Sequence, residues 1–194
     1  MTISSVKTGA IGDSLLAGNA AFIPTDFESI ATFTATGGET SLTFSSIPST
    51  YKHLQIRGIA RDNGSGTSGS TGLLIRANAD TGSNYAWHYL YGNGATPAAF
   101  GSATQTSSYI GTVARGGMTS GIFGVNTIDI HDYSSTTKNK TFRSFTGLDR
   151  NGAGEVYLWS GLWQSTSAIT SITLLLDGNA LAAGSVFSLY GIKG

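Results

Sequence analysis

Cysteine is absent from this chain, so neither a disulfide framework nor a thiolate metal site is available to it. Packing alone must hold the fold, which suits synthesis in a reducing cytoplasm. Charge is scarce as well. Asp, Glu, Lys and Arg make up 11% of the residues, against about a quarter in an ordinary domain. Eleven basic residues balance eleven acidic ones, and the basic ones are scattered. Nucleic-acid binding needs a concentrated basic face, because phosphate neutralisation supplies most of the affinity, so no nucleic-acid partner is expected. No apolar run approaches the roughly eighteen residues of a membrane span. The opening MTISSVKTGAIGDSLLAG lacks the basic start and long apolar stretch of a signal peptide.

In place of charge the chain carries hydroxyls and glycine: Ser and Thr number 50 and Gly 27 of 194 residues. With 10% aromatics and no net charge it departs from the composition of disordered chains. Its outer surface is expected to be turns and pleated strands. So few charges leave little to keep free copies apart, which favours an assembled resting state. Residues 1–25 show no clean alternation, and Pro24 breaks the chain before Phe27; they read as an extended arm. Thereafter short strand-like segments recur between turn signals: residues 27–35, 40–47, 52–61, 73–79, 84–91, 106–115, 122–132, 140–149, 155–164, 168–177 and 186–192. In residues 52–61, Leu54, Ile56 and Ala60 fall on one face, with His53, Gln55, Arg57 and Arg61 opposite, the period of a half-buried strand. Residues 62–72, DNGSGTSGSTG, read as a flexible loop. No amphipathic helix and no fixed-period repeat appears. The expected fold is all-β: a jelly-roll-like antiparallel β-sandwich of about ten strands over residues 26–194, with an extended N-terminal arm over residues 1–25.

The catalytic inventory is thin. His53, His88 and His131 each fall within an expected strand, and no G-x-S-x-G nucleophile elbow accompanies them. His131 lies near Asp129 and Asp132, but Asp132 points away from the other two, and no second cluster supports a metal site. Asp62-Asn63-Gly64, Asp80-Thr81-Gly82 and Asp177-Gly178-Asn179 resemble the starts of calcium loops, yet none reaches a closing Glu; they read as tight turns. The glycines of residues 62–72 lack the Lys-Ser/Thr ending of a phosphate loop. No catalytic residue, metal ligand or cofactor is expected, and polysaccharide cleavage by two opposed carboxylates finds no evident pair.

The aromatics carry more. Tyr85, Trp87, Tyr89 and Tyr91 alternate, as do Tyr157, Trp159 and Trp163, so each set shares one face of its strand. Val156, Leu158 and Leu162 occupy the opposite face of the second strand, so both of its faces need cover. Trp87, Tyr89, Tyr91, Trp159 and Trp163 are therefore the candidate residues for core, for a subunit interface, or for a platform on which a sugar stacks.

Three phrases, SLLAGNAAFIPTDFESIATFT, SLTFSSIPSTYKHLQIRGIARD and DTGSNYAWHYLYG, together with the ending FSLYGIKG, resemble small virion-associated proteins of tailed bacteriophages, especially cyanophages. The resemblance covers most of the chain and carries no catalytic signature. It implies a non-enzymatic virion structural protein made in the host cytoplasm. The leading role is a tail-associated fibre or adhesin component anchored to other virion proteins through residues 1–25. Capsid decoration, which stabilises the head shell, is the competing role, and a carbohydrate-binding or depolymerase domain the alternative of another class. The expected partners are further copies of the chain, a trimer being favoured, and a host surface glycan; no membrane insertion is expected.

Overall fold

The computed structural model describes residues 26–194; the arm expected over residues 1–25 lies outside them. Among the described residues there is no helix. Twelve strands follow in order: β1 (Phe27–Thr34), β2 (Ser41–Phe44), β3 (His53–Ala60), β4 (Ser70–Ala77), β5 (Tyr85–Gly92), β6 (Ala98–Gln105), β7 (Ser108–Ala114), β8 (Gly124–His131), β9 (Lys140–Asp149), β10 (Gly154–Trp163), β11 (Ile172–Leu176) and β12 (Val186–Ile192). They form two antiparallel sheets of unequal size. The large sheet runs β1-β12-β3-β8-β9-β10-β5-β6, and the small one β2-β11-β4-β7. The result is a sandwich-like all-β fold, as expected, with two differences in its parts. β6 was not foreseen, because AAFGSATQ is mostly Ala, Gly and Ser, with Phe100 and Thr104 its two strand-favouring residues. β4 begins at Ser70, inside the stretch read as a flexible loop.

Alternation decides which face is buried. β3 places Leu54, Ile56 and Ala60 in the core with no exposure at all, and turns Arg57 and Ile59 outward. β9 alternates buried and outward residues along its whole length. From the small sheet, Leu42, Phe44, Leu73, Ile75, Ile172 and Leu174 meet this inner face in one continuous core.

The small sheet does not run along the large one. Its edge strand β7 crosses several large-sheet strands in seven residues. Ser108 Oγ donates to Ala86 O on β5, Ser144 Oγ of β9 donates to Ile110 O, and Asn126 of β8 bonds both Thr112 N and Thr112 O. Ala114 reaches Arg61, just beyond β3. Close contact at such a crossing needs small residues. A Cβ on Gly111 would stand 2.2 Å from Asn126 Oδ1, and one on Gly161 2.4 Å from Ser108 Oγ. β6, at the far edge of the large sheet, pairs only with β5.

Two expectations near this crossing are corrected. Arg61, expected to face solvent or a neighbouring subunit, is partly buried: its guanidinium donates to the carbonyls of Thr119, Ile122, Gly116 and Met118, holding residues 116–122 in place. Nor is Asp62 merely a turn residue. It is fully buried and accepts hydrogen bonds from Gly64 N, Gly116 N, Asn179 Nδ2 and Thr71 Oγ1. Residues 62–66 and 115–117 pack backbone to backbone, and a Cβ on Gly117 would meet Ser65 O at 2.2 Å. The glycines there allow close approach rather than mobility.

Candidate functional site

The candidate aromatics all lie on the inner face of the large sheet, where β5 and β10 pair. Tyr91 stands opposite Tyr157, Tyr89 opposite Trp159, and Tyr85 opposite Trp163. Burial then grades across the group. Trp159 and Trp163 are 3% exposed and belong to the core. Trp163 Nε1 donates to Asp80 Oδ2 at 2.7 Å, which helps hold that carboxyl below the usual range. Trp87, Tyr89, Tyr91 and Tyr157 are half-buried, and beyond them Phe100 on β6 is 56% exposed. Tyr91 and Tyr157 stack at 5.1 Å, and Phe100 meets Tyr89 at 5.5 Å. Tyr109 of β7 closes the other side against Trp87 and Trp159. Burial pushes the Tyr89 hydroxyl up, and the Tyr157 hydroxyl is raised by burial and by its bond to Glu155. One polar atom stands out: among the described residues, the buried Trp87 Nε1 finds no acceptor. The five residues singled out in the sequence are thus brought together, two of them as core and three along a ledge that ends at Phe100.

The opposite, outward face of the same sheet carries what the sequence reading only touched. Ile59, Leu90, Val125, Phe145, Val156 and Leu158 are each between 47% and 60% exposed. Strand register sets them in rows across five strands. One row reads Ile59, Val125, Gly147, Val156, Gly92; the next reads Arg57, Thr127, Phe145, Leu158, Leu90. Covering six half-exposed side chains of this kind contributes on the order of 5 kcal/mol. The signal lay in the alternation of β9 and β10, where Phe145, Val156 and Leu158 face away from the aromatics. Only the pairing register joins them to Leu90, Val125 and Ile59.

A polar rail borders the apolar rows. Arg57 Nε donates to Gln55 Oε1, Gln55 Nε2 to Asp129 Oδ1, and Arg143 Nη2 pairs with Asp129 Oδ2, each at 2.8 Å. Burial alone would raise the Asp129 carboxyl, but these bonds outweigh it and hold it low. His53 and His131 meet edge to face at 4.8 Å beside the rail; burial, then the charge of His131, lowers His53. Asp132, which the metal reading considered, instead pairs with Lys52 and Lys138. No group of three His, Asp or Glu able to hold a metal occurs among the described residues.

Compared with known protein families, with curated proteins and with solved structures, the chain matches none. The class defined by fold and surface is an all-β sandwich module with an apolar sheet face that the described residues leave uncovered.

Proposed function

We propose that this chain is a non-enzymatic structural protein of a tailed-phage virion, a tail-associated fibre or adhesin component attached through residues 1–25. The observation that carries the reading is the uncovered outer face. A module with few charges to keep copies apart and contiguous apolar rows on one sheet suits a permanent place in an assembly. The resemblance of its sequence phrases to virion-associated proteins suggests the kind of assembly. Purified particles, probed with antibody to residues 26–194 and counted by quantitative mass spectrometry, test it. A few to a few dozen copies at the tail are expected. Hundreds of copies over the shell would make the chain a capsid decoration protein, and absence from particles would refute the reading.

A second reading draws on a different observation, the aromatic ledge. Trp87, Tyr89, Tyr91 and Phe100 offer flat apolar faces, and the two tyrosines add polar tips. This favours a host surface glycan as ligand of the attachment role. Titration of host polysaccharide should show binding that Tyr91→Ala and Phe100→Ala remove without changing thermal unfolding. No binding at millimolar sugar would eliminate the glycan reading.

A further inference from the structure

We propose that the outer face of the large sheet is a two-fold interface between two copies of this chain. The two-fold axis lies in the interface, perpendicular to the strands, and passes between the two apolar rows. The proposal rests on the reading of the chain as an assembly module and specifies its partner.

Size is the first argument. Where one row holds Phe145 and Leu90, its neighbour on the same strands holds Gly147 and Gly92. A Cβ on either glycine would meet nothing within 4 Å. Both glycines line an open depression of about 730 Å³, with Val125 and Val156 beside them. Glycine inside a strand weakens it and marks places where another chain approaches closely. Rotating a second copy about the stated axis lays each row on the other copy's different row. Phe145 then enters the hollow over the second copy's Gly147, Leu90 that over Gly92, and Leu158 meets Val156. Facing sheets pack about 10 Å apart, a gap that a phenylalanine opposite a glycine fills.

Charge is the second argument, and it selects the axis. Along its outward face β9 reads Thr141, Arg143, Phe145, Gly147, Asp149, with Asp149 exposed and Arg143, which also pairs with Asp129 of its own chain, exposed as well. The same rotation sets Arg143 across from the second copy's Asp149 on either side of the axis. A two-fold axis parallel to the strands would instead oppose arginine to arginine and phenylalanine to phenylalanine. Area is the third. Five strands about 4.8 Å apart and about 26 Å long present on the order of 600 Å², near the roughly 800 Å² that each partner gives to a standard interface. The two-fold asks for an even number of copies, where the sequence reading favoured three.

Sedimentation equilibrium on the full chain is the test. The wild type should be a dimer. Arg143→Asp and Asp149→Arg should each weaken self-association about tenfold or more through like-charge contacts. An equimolar mixture of the two variants should associate again, since one copy then carries two acids and the other two bases. Gly147→Leu should fill the hollow and weaken association to a similar degree, while unfolding as the wild type does at concentrations where both are monomers. A wild type monomeric at its highest soluble concentration would overturn the interface, as would a mixture no better associated than the separate variants. A monomer that still enters particles would sink this interface and leave the virion reading standing; a dimer absent from particles would do the reverse.

Discussion

Although charge is scarce, three of the charged residues serve the backbone inside the molecule. Arg61 gathers four carbonyls, and Lys140, with no exposure, donates to Ser135 O, Lys138 O and Thr166 O. Asp62 is the anionic counterpart, taking two backbone N–H groups and two side chains. Replacing it with Ala would strand several donors whose loss typically costs about 1–3 kcal/mol each when buried. Partial relaxation of the loops leaves an expected loss of about 2–4 kcal/mol in chemical denaturation at pH 7. A loss below about 0.5 kcal/mol would mean that water replaces the network. Burial by itself would raise the Asp62 carboxyl, but the bonds from Thr71, Gly116, Asn179 and Gly64 prevail and hold it low. Its contribution is therefore present above the unfolded carboxylate value of about 3.9 and is lost as pH falls through the lower folded one. Acid sensitivity in that window should shrink in Asp62→Ala.

At the scale of elements, β3 separates core from outward face most cleanly. Leu54→Ala should cost about 2–5 kcal/mol, and Gln55→Ala about 1 kcal/mol, because Gln55 links Arg57 to Asp129 in the polar rail. Equal losses measured in denaturant would show the face of Gln55 to be buried as deeply as that of Leu54. The sequence made β3 legible because alternation over its eight residues leaves one choice of face. β6 was illegible because the small residues on either side of Phe100, Ala, Gly and Ser, carry no apolar alternation. The aromatics were legible as a group, but not the side on which they lie. Two apolar faces on β10 look alike until register shows which one the small sheet covers. The loop at residues 62–66 misled because glycine marks mobility and close approach with the same letter.

For the molecule as a whole, the two sheets and the core described above are formed by residues 26–194. Deleting residues 1–25 should therefore leave the thermal unfolding midpoint nearly unchanged while abolishing incorporation into particles. A truncated chain that no longer unfolds cooperatively would place those residues in the fold instead. The point where they join has a mechanical consequence. Among the described residues β1 is an edge strand paired with β12 alone, Phe27 stands opposite Ile192, and Lys193 N donates to Asp26 O at 2.9 Å. Tension applied between the two ends of this domain would open the β1–β12 ladder like a zipper, one rung at a time.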